Sequence, residues 1–284
     1  MLEKPEWLKR TFRDNSNLNY VREMLSELHL NTICDEAMCP NYVECFSKKT
    51  ATFMILGVNC TRNCRFCNVT NREPQKVDVD EPNRVAEAVS KLGLKYVVIT
   101  SVTRDDLPDG GAAHFAATIR AIHKSCPDTA VEVLIPDFQG NQEALKIVAD
   151  ASPEVISHNI ETVKSLYDQV RPQAIYERSL EVLKNIKLFA PSIRSKTGIM
   201  LGLGEKDTQV YEVMEDLRAV GCEFLTIGQY LAPSMEHYPV QEYITPEQFD
   251  RYGEIAKEKG FAFVASAPFV RSSYNAAEAL EREV

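Results

Sequence analysis

No apolar run in this chain approaches the ~20 residues that a membrane-spanning helix needs. The longest, such as residues 53–58 and 97–99, have strand length. The amino terminus, Met1-Leu2-Glu3-Lys4-Pro5-Glu6-Trp7, mixes charges and has no apolar core, so no secretory leader is expected and the default compartment is the cytoplasm. Positive charge is also short. Lys and Arg number 32 against 41 Asp and Glu, a net charge of −9, so neither nucleic acid nor a membrane surface is expected as a partner. There is no low-complexity tract, no internal repeat, and no Gly-rich dinucleotide fingerprint after the first strand. What remains is ordinary globular composition, 44% apolar and 26% charged over 284 residues. That excludes disorder, collagen and a long coiled coil.

Short β-branched runs alternate with amphipathic stretches of helix length. Strands are expected at 52–56, 96–100, 131–135, 155–158, 197–201, 223–229 and 261–266. Helices are expected at 18–28, 81–92, 112–124, 141–149, 175–189, 208–219 and 246–259, with a closing helix at 274–280. Thr245-Pro246-Glu247 places a capping hydroxyl before a proline at the first helical position. Strict alternation implies βαβ units and a parallel sheet. Six units are too few to close an eight-stranded barrel. The expected fold is therefore α/β, a partial (β/α)6 TIM-like barrel with N- and C-terminal extensions covering its mouth. Residues 1–50 form the N-terminal extension and 51–284 the barrel.

Eight cysteines are unusual for a chain expected in a reducing compartment, where they read as metal ligands or catalytic thiols. Cys126 and Cys222 stand alone and read as small buried hydrophobes. The other six form two triads. Cys60, Cys64 and Cys67 have the spacing C-x3-C-x2-C just after the first strand, where α/β barrels carry their chemistry. Three thiolates hold three irons of a cubane cluster and leave the fourth open for a substrate. The competing reading is a structural zinc completed by a distant ligand. Cys34, Cys39 and Cys45 read C-x4-C-x5-C in a loop-rich stretch and suggest a second cluster, against a zinc or a coincidence of core thiols.

The first spacing, with Phe66 before the last cysteine, resembles the radical S-adenosylmethionine (SAM) enzymes. The two triads together resemble lipoyl synthases. So do Ala51-Thr52-Phe53-Met54-Ile55-Leu56-Gly57, Arg104-Asp105-Asp106-Leu107, Asp109-Gly110-Gly111-Ala112, Ser157-His158-Asn159-Ile160-Glu161-Thr162, Val170-Arg171-Pro172, Gly202-Leu203-Gly204-Glu205, Gly228-Gln229-Tyr230-Leu231 and Arg271-Ser272-Ser273-Tyr274. The resemblance implies a sulfurtransferase that inserts two sulfur atoms at C6 and C8 of an octanoyl group on a lipoyl carrier domain. Two [4Fe–4S] clusters and two SAM molecules per product are implied. One cluster generates a 5′-deoxyadenosyl radical, and the auxiliary cluster is consumed as sulfur donor. A low-potential flavodoxin- or ferredoxin-type electron donor and a cluster-repair carrier are implied as partners. Another radical SAM sulfur insertion, or a non-catalytic iron–sulfur or zinc protein, are the alternatives.

Supporting residues follow. In the family a serine of the Arg-Ser-Ser-Tyr motif completes the auxiliary cluster, here Ser272 or Ser273; without that resemblance either reads as a turn or N-cap serine. Phe66, Thr100, Ser101, Glu132, Asn159 and Arg171 are candidates to hold SAM. Glu132 lies within an apolar strand, so it must reach a ligand or a cation. Thr100-Ser101-Val102 stands where many superfamily members have Gly-Gly-Glu. Gly202-Leu203-Gly204 reads as a tight turn with N–H groups facing the site. His114 and His123 read as surface or core residues. Arg10, Arg13, Lys48 and Lys49 could meet an acidic carrier, or are solvated faces.

Overall fold

Strand and helix alternate in the computed structural model, which describes residues 2–9 and 16–281, at nearly the expected positions. Arg10 and Arg13 lie outside the described residues. The chain divides into two compact units. The first comprises Phe12–Arg62 and Val69–Ile156, the second Met1–Thr11, Asn63–Asn68 and Ser157–Val284.

In the first unit, α1 (Ser16–Glu27), β1 (Asn31–Thr32), α2 (Ile33–Glu36) and α3 (Tyr42–Ser47) lead into β2 (Thr52–Ile55). The two-residue β1 pairs antiparallel with β2, Asn31 opposite Met54. It is too short to show any periodicity in sequence. After the small parallel pair β3 (Asn59–Cys60) and β4 (Thr70–Asn71) come α4 (Glu81–Leu92), β5 (Tyr96–Ser101), α5 (Ala112–Ser125), β6 (Ala130–Leu134) and α6 (Gln142–Ala149). Strands β2, β5 and β6 are parallel neighbours in that order. All four residues of β2 are buried, as expected of a strand covered on both faces. Helix α4 buries Val85, Ala88, Val89 and Leu92, spaced by three and four on one face. Each buried valine or leucine contributes roughly 1.5–3 kcal/mol.

β7 (Val155–Ser157) leads into the second unit: α7 (Tyr167–Val170), α8 (Tyr176–Phe189), β8 (Arg194–Leu201), α9 (Asp207–Ala219), β9 (Phe224–Gln229), α10 (Pro246–Glu258), β10 (Phe263–Ser266) and α11 (Glu278–Glu281). Strands β8, β9 and β10 run parallel. Thr245 caps α10 by accepting from Gln248 N, with Pro246 in the first turn, as the sequence predicts.

Two expectations are corrected. β8 starts three residues earlier than 197, because Ser195, Lys196 and Thr197 are buried although polar. The Ser195 N–H is satisfied by Glu223 at 3.0 Å, a partner 28 residues away. The closing helix is only Glu278–Glu281, preceded by turns. Asn275, at φ 51°, takes a left-handed conformation that a helix cannot contain.

Candidate active site

The exit of β2 is held from several sides. Leu56 and Gly57 both have positive φ, 69° and 92°. A Cβ on Gly57 would lie 2.2 Å from Gln75 Oε1, the oxygen that accepts from Val58 N at 2.8 Å. The Glu81 carboxylate accepts from Leu56 N at 2.9 Å and pairs with His114 Nε2 at 2.7 Å, which makes His114 a core residue. Arg104 donates to Leu56 O at 3.1 Å.

This turn delivers Cys60. Two backbone N–H groups point at its Sγ, from Thr103 at 3.3 Å and Arg62 at 3.5 Å. Thr61 ties the two segments together. Its N and Oγ1 both donate to Thr103 O at 3.0 Å, and its Oγ1 accepts from Asp105 N at 3.1 Å. Arg62 is 6% exposed, and its guanidinium binds Asp105 through two nitrogens, at 2.6 and 3.0 Å, and Asp137 at 2.5 Å. Burial opposes its charge, but the two carboxylates outweigh it and hold its proton more tightly than usual.

Cys64 and Cys67 belong to the second unit, joined by a turn in which Cys67 N donates to Cys64 O at 3.0 Å. Around them Asn63 N donates to Gln173 Oε1 at 2.6 Å and Arg65 N to Val170 O at 2.9 Å. The Arg65 guanidinium lies 5.5 Å from the Tyr238 ring centre. Phe66 packs against Val170, Leu203, Tyr230, Tyr238 and Val240. Burial, and secondarily the neighbouring Cys67, raise the Tyr230 hydroxyl above its ordinary pKa.

The other triad has its own frame. Thr32 caps α2, accepting from Asp35 N at 3.3 Å. Cys39 N donates to Cys34 O at 3.0 Å, and Cys45 accepts at its carbonyl from Thr50 N at 2.9 Å. The Cys34 thiol is pushed up to about 12, first by burial and then by Cys39 and Cys45, while the Thr52 N–H draws it down. Cys39 and Cys45 are thus close enough to Cys34 to disfavour its charged form. Among the described residues no three His, Cys, Asp or Glu side chains converge on a point suited to a single ion.

The strand-end candidates differ in what they already hold. Ser101 Oγ is buried without a partner, as is Ser157 Oγ. Such hydroxyls are costly unless a ligand or water satisfies them. Thr100 Oγ1 donates to Leu134 O at 3.1 Å. Glu132 is fully buried and accepts from the Tyr96 hydroxyl at 2.5 Å; this phenolic partner had no signal in the sequence. Asn159 bridges, donating to Glu161 Oε1 and accepting from Ser272 Oγ, both at 3.0 Å. Arg171 donates to the carbonyls of Asn159 and Ile160 at 3.1 and 3.2 Å. Ser273 lies in the turn that follows Ser272.

Glu161 was not singled out by sequence reasoning. It has φ 65° and is half-buried. Burial raises its pKa against the opposing pull of Arg171, Asn159 and Arg271. Its signal in the sequence is the polar pair Asn159 and Glu161 just beyond a strand end. The Gly202-Leu203-Gly204 turn is corrected. The N–H groups of Gly202 and Leu203 are bound by Glu205, at 2.5 and 2.9 Å, so that turn is closed on its own side chain. Of the surface cations, Lys48 pairs with Glu44 at 2.7 Å and Lys49 lies over the Tyr20 ring.

The donor set suits an iron–sulfur cluster with a polar organic ligand: two thiol triads, N–H groups aimed at Cys60 Sγ, and an unsatisfied hydroxyl at the end of β5. The model of the radical SAM superfamily matches residues 54–217. Solved structures with the same fold include Streptococcus suis SuiB bound to S-adenosylmethionine (TM-score 0.59, 12% identity, 79% of this chain and 54% of that one). Methylornithine synthase is another (TM-score 0.53, 11% identity, 93% and 91%). The chain is thus a radical SAM enzyme with a partial (β/α)6 barrel.

Similarity to lipoyl synthases is far higher. That of Alkaliphilus metalliredigens is 58% identical over 279 residues, 98% of this chain and 96% of the relative. That of Geobacter metallireducens is 54% identical over 277 residues, 98% and 97%. The chain belongs to the lipoyl synthase family, sulfurtransferases that form the lipoyl group with SAM and [4Fe–4S] clusters. Among the described residues no helix is long and apolar enough to cross a membrane.

Proposed function

We propose that the chain inserts sulfur at C6 and C8 of an octanoyl group held on a lipoyl carrier domain. Cys60, Cys64 and Cys67 hold the SAM-binding cluster. Cys34, Cys39 and Cys45, with Ser272 or Ser273, hold the cluster that donates sulfur. The observation that supports this reading is the pair of separate cysteine triads in the sequence, with two backbone N–H groups aimed at Cys60 Sγ.

When bound and reduced by a flavodoxin- or ferredoxin-type donor, the first cluster with SAM supplies a primary carbon radical for unactivated C–H bonds, and the second supplies sulfide. The chain's own residues bind and orient. The unpartnered Ser101 hydroxyl offers SAM a polar contact at the end of β5. Asn159, Glu161 and Arg171 form a linked polar group at the end of β7 that suits its ribose and carboxylate. Phe66 anchors the cysteine loop on an apolar cluster. Residues 1–50 serve as the extension carrying the auxiliary cysteines, and 51–284 as the barrel. Thiolate ligands and a consumed cluster favour a reducing cytoplasm and a carrier that renews the cluster.

The test uses anaerobically reconstituted protein and an octanoylated carrier. Cys64→Ala should form no 5′-deoxyadenosine. Cys39→Ala should still form it but insert no sulfur. Sulfur insertion by Cys39→Ala would remove the auxiliary triad from the donor role, and deoxyadenosine from Cys64→Ala would overturn the first assignment.

A further inference from the structure

The Cys60 sulfur receives two N–H groups that belong to different segments, Arg62 of its own loop and Thr103 beyond β5. Neither amide is placed by regular secondary structure; Thr61, with its backbone N–H and its hydroxyl, holds Thr103, and the Arg62 side chain anchors its own residue. Thr61 grips Thr103 O through its N and Oγ1, and accepts from Asp105 N. Arg62 is locked by Asp105 and Asp137, Asp137 being 1% exposed and Arg62 5% at the side chain. A buried guanidinium between two carboxylates is an expensive anchor for a surface turn that needs none.

We infer that Thr61 and Arg62 are positioning residues that aim the Thr103 and Arg62 amides at Cys60 Sγ and thereby raise the reduction potential of the cluster that Cys60 ligates. The inference rests on the proposed role of Cys60. Hydrogen bonds to a cluster thiolate withdraw electron density from it, which stabilises the reduced, more negative state. Thr61 Oγ1 is the keystone, since its removal loses one bond to Thr103 O and one from Asp105 N. Asp105 joins the two halves, accepting from Arg62 with its carboxylate and donating its backbone N–H to Thr61 Oγ1.

The test is a redox titration of the full-length, reconstituted protein followed by EPR spectroscopy. The signal perturbed by added SAM reports the cluster with the open iron, and the SAM-insensitive signal is the internal reference. Thr61→Val should shift the first signal to a more negative midpoint potential and leave the second unmoved. Thr61→Ser, which restores the hydroxyl, should return it. Asp105→Asn should shift it in the same direction and decides the matter if Thr61→Val does not load its cluster. An unchanged or more positive midpoint in the loaded variants overturns the inference. Cys60→Ala separates the two claims: a SAM-perturbed signal that survives in it removes Cys60 as a ligand, whereas its loss beside an unshifted Thr61→Val defeats only the tuning role.

Discussion

Ser272 Oγ donates to Asn159 Oδ1 at 3.0 Å, joining the C-terminal segment to the turn after β7 across 113 positions of sequence. The contact forms over Gly198 of β8. A Cβ there would lie 2.8 Å from both Ser272 Oγ and Thr226 Oγ1, and 3.0 Å from Asn159 Oδ1. A residue proposed to hold SAM and a residue proposed to complete the auxiliary cluster are thus hydrogen-bonded to each other.

Gly198→Ala should therefore destabilise the protein by about 1–3 kcal/mol, the usual cost of overpacking. Urea denaturation checks the size. Ser272→Ala removes one of the three crowded atoms, so the double variant should lose less than the sum of the single losses. Strict additivity would show that the hydroxyl does not occupy the space above Gly198.

Iron content should follow the triads. The wild-type chain should load about eight irons, and about four should remain when Cys34, Cys39 and Cys45 are all replaced by alanine. Anaerobic iron and sulfide assays measure both. Equal loading of the two proteins would mean that the first triad holds no cluster.

Glu223 carries a pH-dependent share of stability. Burial works to raise its pKa, but Lys187 at 2.8 Å, the Ser195 N–H and Arg194 at 2.6 Å outweigh it and hold the carboxyl below its ordinary range. The unfolded chain then binds the proton more readily than the folded one. The stabilisation is present above the ordinary glutamate range and is lost as pH falls through the lowered folded value. Glu223→Gln should cost roughly 1–3 kcal/mol at neutral pH, as for a hydrogen bond to a charged group. Denaturation midpoints at pH 7 and pH 3 should show the gap from wild type closing in acid. A gap independent of pH would point to packing instead of charge.

Sequence alone determined the alternation of strands and helices, the limits of α4 at Glu81 and Leu92, the cap at Thr245, and the grouping of six cysteines into two triads. These are local matters, set by side-chain periodicity, capping chemistry and spacing along one stretch of chain. Tertiary structure decided which polar groups meet. Tyr96 finds Glu132, Arg62 finds Asp137 and Asn159 finds Ser272, at separations of 36, 75 and 113 residues. It also closed the Gly202 turn on Glu205 and placed Glu161 against Asn159. A buried carboxylate or amide must have a partner, so its presence in an apolar strand announces that a partner exists. Which residue that is depends on which strand ends and loops the folded backbone brings together, and spacing along the chain carries no record of that.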